Sequence, residues 1–168
     1  MVEHAIYQAQ AAGFHPVVVA LGAHAETVGE AVAKTTALSV VNENWASGMG
    51  SSITCGAAKI LELSPDVDSM AVLLADQPLV TSEHLRNMGR VFMTNNAPIV
   101  AAAYAGTLGV PALFRRSVFD QLKTLKPEAG ARALLRGGDA EVHGYDLPEA
   151  AIDIDTPEDF AAVKQLPT

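Results

Sequence analysis

Cysteine, aromatic residues and positive charge are all scarce in this 168-residue chain, and each scarcity removes a class of protein. With Cys55 alone, no intramolecular disulfide can form, and a zinc centre built on thiolates has too few ligands. The histidines (His4, His15, His24, His84 and His143) are scattered and show no metal-ligand spacing such as H-x-x-x-H. Eleven Lys and Arg against 19 Asp and Glu give a net charge of −8, which argues against nucleic acid or an anionic membrane as partner. The longest apolar runs, residues 16–23 and 70–75, are far shorter than the ~20 residues that span a bilayer. No G-x-S-x-G elbow supports a serine hydrolase, and no charged-then-apolar leader opens the sequence. The expectation is a cytoplasmic protein in a reducing compartment.

What is present is an aliphatic core: 49% of the residues are hydrophobic but only 5% aromatic. Helical spacing is read over 2–12, 25–36, 51–63, 82–94, 117–122, 128–135 and 157–165. Strands are read at 16–21, 39–42, 70–75, 99–104, 111–114 and 141–147. This alternation predicts one α/β domain with helices on both faces of a mostly parallel sheet.

The stretch 70–78, MAVLLADQP, dominates the reading. A short apolar run closed by Asp76, Gln77 and Pro78 predicts a strand buried on both faces. Asp76 then falls at its carboxyl end, where open α/β sheets place ligands; a turn-forming aspartate before proline is the plainer alternative. A second acidic cluster lies at 153–159, DIDTPED. A capping box accounts for Thr156 to Asp159 but leaves Asp153 and Asp155 over. In an extended segment those two carboxylates share a side while Ile154 faces inward, and oxygen donors of this kind suit Mg²⁺.

Residues 42–52, NENWASGMGSS, place Gly48, Gly50, Ser51 and Ser52 ahead of a helix, where bare backbone and free N–H groups can meet a ligand. Capping is the commoner use of such serines, and Trp45 is expected to pack under the loop. Gly106 and Gly109 are read as turn glycines with unusual backbone angles. Arg132 could reach a phosphate or stay solvated, and Cys55 is read as an inert buried thiol.

Taken in order, VVVALG, NENWASGMGSSI, LLADQPLVT, IVAAAYAGTLGVPALF, GARALL and DIDTPEDF resemble the MobA-like nucleotidyltransferases across nearly the whole chain. Within them the molybdenum cofactor cytidylyltransferases, which move CMP from CTP to molybdopterin, match best. The resemblance implies a doubly wound, mostly parallel sheet of Rossmann-like nucleotidyltransferase type. It implies Mg²⁺ on Asp76 and Asp155, with Asp153 next, and a nucleotide held by Gly48, Gly50, Ser51 and Ser52. Gly109, Pro111 and, more weakly, Arg132 would lie on the acceptor side. The implied partners are a nucleoside triphosphate, a small phosphorylated acceptor of molybdopterin type, and a molybdenum hydroxylase apo-enzyme.

The family also opens with a strand and a loop of the type LAAGxSxRMGxxK, and no such segment is found here. The expectation is a single domain over 1–168, shortened at its N-terminus, lacking its first strand, and weak or inactive in transfer on its own. An open strand edge at that position would invite pairing with another chain. Two rival activities stand beside nucleotidyl transfer. One is a nicotinamide-dependent reductase of a heterocycle, although the Gly-x-Gly lacks a third glycine and a later acidic partner. The other is a non-catalytic binding protein for molybdenum cofactor.

Overall fold

A computed structural model describes residues 1–137, 140–154, 156, 158, 159 and 161. Its elements run α1 (Val2–Ala11), β1 (Val18–Leu21), α2 (Ala25–Val32), β2 (Leu38–Val41), α3 (Met49–Leu63), β3 (Ser69–Val72) and α4 (Ser82–Thr94). There follow β4 (Ile99–Tyr104), β5 (Thr107–Arg115), α5 (Phe119–Lys123), α6 (Arg132–Gly137), β6 (Val142–Asp146) and a 3₁₀ turn at Pro148–Ala151. Helix α4 has the bounds read from sequence, because Thr81 closes its start: the hydroxyl accepts from His84 N–H, and His84 Nδ1 accepts from Thr81 N–H. The final helix expected over 157–165 lies for the most part outside the described residues.

Among the described residues the strands form two sheets, a parallel pair β1–β2 and a four-stranded sheet ordered β3-β5-β4-β6. The α/β architecture expected from sequence is present, but the larger sheet is mixed: β4–β6 is parallel, while β5 runs antiparallel to both β3 and β4. The reason is local. Ala105 and Gly106, at φ 48° and 72°, make a two-residue turn that folds β5 straight back on β4. Strand β5 is therefore nine residues long instead of the four expected at 111–114.

Alternation along the central strands sorts the core into two faces. Ile99, Ala101, Ala112 and Phe114 join Ala57 of α3, Phe119 and Leu122 of α5, and Leu134 and Leu135 of α6. Val100, Ala102 and Leu113 point the other way, onto Leu85, Met88 and Phe92 of α4. A third cluster, Ile6, Leu21 and Val32, ties α1 and α2 to β1.

Two expectations for 70–78 are corrected. The strand stops at Val72, so Asp76 lies four residues beyond it in a bend, not at its last position. Only Met70 of β3 is fully buried, because one edge of the strand is uncovered. That edge faces a cavity of about 860 Å³ lined by Val18–Ala20 of β1, Met70–Val72 of β3, Ala5 and Ile6 of α1, and Ile53 and Ala57 of α3. The cavity thus lies between the two sheets.

Phe114 is wholly buried at the centre of the larger cluster. Phe114→Ala should cost about 3–5 kcal/mol of unfolding free energy, measured by urea denaturation followed by circular dichroism.

Candidate metal and nucleotide site

Three chain segments converge beyond the end of β3. The backbone N–H of Ile154 donates to the carbonyl of Asp76 at 2.9 Å, docking the second acidic stretch on the first. Ile154 is 7% exposed and Asp153 is exposed, so the alternation read from sequence holds for this pair. Asp155 lies outside the described residues, and its expected role is untouched by the geometry. Asp76 itself is half-buried.

The third segment is the bulge in β5. Pairing runs Ala101↔Ala112 and then Ala102↔Gly109, which leaves Val110 and Pro111 without partners on β4. The carbonyl of Val110 is free to face outward from the ladder, and Gln77 reaches it. Gln77 Nε2 donates to Val110 O at 3.0 Å and to Ala150 O at 2.8 Å. Asp76, the Gly109–Pro111 stretch and the approach to Asp153 are thereby brought together.

Gly109 plays a different part from the one expected. Its φ is not positive; the site is glycine because a Cβ there would overlap the hydroxyl and ring of Tyr104. The GMGSS loop also differs. Gly48, at φ 124°, opens α3 as expected, yet the space beside both Gly48 and Gly50 is filled by the chain itself, with the Pro127 carbonyl against Gly48. Gly50 N–H donates to Pro127 O at 2.7 Å, and a Cβ on Gly50 would collide with the Lys126 carbonyl. Gly50 thus serves close approach of the protein's own backbone, and its amide is already used.

Ser51 and Ser52 are held from the side by a residue the sequence reading missed. Asn42, 5% exposed, donates from Nδ2 to Ser51 Oγ at 2.8 Å and to Ser52 Oγ at 3.0 Å. Its Oδ1 accepts from Asn44 N–H at 3.0 Å, so one carboxamide organises the whole NEN–GSS turn. The only available signal was an asparagine directly after the strand. Trp45 is half exposed, with its Cβ against Gly22, instead of lying under the loop. Cys55 is half-buried, its Sγ 3.8 Å from Val41 O.

The inter-sheet cavity links these pieces, for its lining includes Ser52, Ala75, Gly109, Val110 and Arg132. Arg132 is exposed at the start of α6, along that wall. For a divalent cation, Asp76 and Asp153 offer hard oxygen donors, the kind Mg²⁺ and Mn²⁺ take alongside substrate phosphates. Among the described residues no three acidic, histidine or cysteine side chains form a closed cluster. Among the described residues the donor set suits an ion that takes further oxygens from a substrate. No described helix is long and apolar enough to cross a membrane.

Fold and site together describe an α/β domain in which two acidic stretches, at Asp76 and at Asp153, are joined by a backbone hydrogen bond. The chain belongs to the MobA-like NTP transferase domain family, whose model matches residues 1–143. It is 31% identical over 122 residues to purine catabolism protein PucB of Bacillus subtilis (strain 168), covering 70% of this chain and 57% of PucB. The chain thus spans little more than half of that relative. It is also 31% identical over 169 residues to nicotine blue oxidoreductase of Paenarthrobacter nicotinovorans, covering 94% of this chain and 79% of that protein.

Among solved structures, Rv0371c of Mycobacterium tuberculosis H37Rv in complex with manganese superposes with a TM-score of 0.79 at 26% identity, covering 98% of this chain and 86% of the other. CMP:2-keto-3-deoxy-manno-octonic acid synthetase complexed with CTP shares the fold, with a TM-score of 0.71 at 14% identity over 97% of this chain and 85% of its own.

The glycine assignment separates two neighbours on one helix. Gly50→Ala should destabilise the fold by about 1–3 kcal/mol through overpacking against Lys126. Gly56→Ala, with nothing within 4 Å of the new Cβ, should be neutral or stabilising by up to about 1 kcal/mol. Thermal melts of the two variants check the contrast.

Proposed function

We propose that this domain works as a nucleotidyltransferase, moving a nucleoside monophosphate, CMP from CTP, to a phosphate-bearing acceptor of molybdopterin type. The observation that carries the reading is the Ile154 N–H to Asp76 carbonyl bond, which joins two acidic stretches far apart in sequence at the end of β3. Family membership supports the reaction class, and the CTP complex of a fold neighbour supports the nucleotide. The manganese complex of a relative supports a divalent ion, read here as Mg²⁺ in the cell.

In the reaction, an acceptor phosphate oxygen forms a bond to the α-phosphorus of the triphosphate. The bond from that phosphorus to the β-phosphate bridging oxygen breaks, and pyrophosphate leaves with the electron pair. Asp76, with Asp155 and then Asp153, would hold the ion, whose chemistry when bound is to neutralise charge on the α-phosphate. Gly48, Ser51 and Ser52 border the nucleotide side, with Asn42 fixing the two hydroxyls. Gly109 and Pro111 shape the opposite wall, and Arg132 offers a guanidinium to a phosphate. The carboxylates repel the anionic substrate unless a cation intervenes, so binding of nucleotide and metal should be coupled. A lone cysteine suits a cytoplasmic setting, where an apo molybdenum hydroxylase would receive the product.

The relation to nicotine blue oxidoreductase favours a second reading, nicotinamide-dependent reduction of a heterocycle on the same scaffold. One pair of assays separates the two. With CTP, Mg²⁺ and molybdopterin, the nucleotidyltransferase reading expects pyrophosphate release that falls about a hundredfold or more in Asp76→Asn. NADPH oxidation with an added heterocycle, unaffected by Asp76→Asn and unaccompanied by pyrophosphate, would overturn it.

A further inference from the structure

We propose that Gln77 is the positioning residue of this site, its carboxamide setting where the Asp76 carboxylate stands relative to the Asp153 segment. The inference rests on the metal role given above to Asp76. Asn42 and Gln77 are the buried polar side chains among the described residues, and Gln77 is 6% exposed. Both donated hydrogen bonds go to main-chain carbonyls remote in sequence, 33 and 73 residues away. One, Val110 O, belongs to the unpaired bulge of β5; the other, Ala150 O, closes the turn that leads into Asp153. The neighbouring Asp76 carbonyl receives Ile154 N–H, so the two residues together make three bonds across the junction.

The same side chain carries a cost. Its Oε1 is buried and accepts no hydrogen bond from the described residues. An apolar side chain of the same shape would avoid that orphan acceptor but would leave the carbonyls of Val110 and Ala150 without the donor they now share. What the amide supplies and an apolar residue cannot is a fixed length between three main-chain points. A carboxylate would face two carbonyl oxygens with no proton to give, and asparagine is one methylene too short to span both.

The test is Mn²⁺ affinity, read by electron paramagnetic resonance of free Mn²⁺ in the full 168-residue chain, alongside thermal melts. Gln77→Met should fold and bind Mn²⁺ about tenfold or more weakly, the range found when residues that orient metal ligands are removed. Val32→Ala, a buried α2 position in the separate cluster of α1, α2 and β1, serves as the control for destabilisation alone and should stay within about twofold of the native affinity. Native-like Mn²⁺ binding in Gln77→Met, or an equal loss in Val32→Ala, would overturn the proposal. If Gln77→Met does not fold, Gln77→Asn takes its place with the same expected loss and the same overturning result. Asp76→Asn separates the two levels: if it binds Mn²⁺ normally, the metal role of Asp76 fails. If it loses Mn²⁺ while Gln77→Met does not, only the positioning role fails.

Discussion

The two-residue bulge in β5 is the constraint from which the rest of the site follows. A regular hairpin would have carried the pairing of Ala101 with Ala112 on through the next residues, and β3 could have extended beside it. Instead Val110 and Pro111 stand out of the ladder, and Pro111 has no N–H to give. The pairing of β3 with β5 ends at Val72↔Ala112, and the chain beyond is released to bend. That bend carries Asp76 away from the sheet and drops Gln77 into the junction, where the unpaired Val110 carbonyl waits for a donor. A break in regular structure here supplies the acceptor that the next element needs.

Much of this was legible in sequence wherever a local rule acts alone. Helix α4 is framed by its capping residues, and β4 by its apolar run, and both have the predicted bounds. The exposed Asp153 and buried Ile154 follow from simple alternation. The errors arise where a distant partner decides. Leu73, Leu74 and Ala75 continue an apolar pattern with no ladder to join, because β5 has already turned aside. Gly109 looks like a turn residue, but its reason is the Tyr104 ring across the hairpin. Gly50 looks like an opening for a ligand, but Lys126 and Pro127 arrive from 76 and 77 residues away to fill it. The parts played by Asn42 and Gln77 are hidden in the sequence for the same cause: a carboxamide has no periodicity, and its value depends on what it meets.

The two carboxamides divide the work in a way that suits the chemistry. Asn42 holds the serine pair at the start of α3, on one side of the cavity. Gln77 holds the bulge and the acidic segment on the other. Neither is charged, and this matters in a chain with a formal charge of −8. A lysine or arginine at either place would neutralise a neighbouring carboxylate and compete with a cation for it. Neutral amides fix geometry without adding positive charge, so in the proposed site the carboxylates would keep their pull on a cation.

That choice has a consequence for the order in which ligands can be held. In the proposed site the acidic stretches at Asp76 and Asp153 would repel a triphosphate alone, and the exposed Arg132 is a weak counterweight in solvent. A cation alone finds too few protein oxygens among the described residues to saturate its coordination. Each ligand lacks what the other brings: the nucleotide has oxygens in excess, and the ion has the charge. Under the proposed function the arrangement would favour the metal–nucleotide complex over either component, and selectivity for a phosphorylated substrate would follow from this mutual shortage.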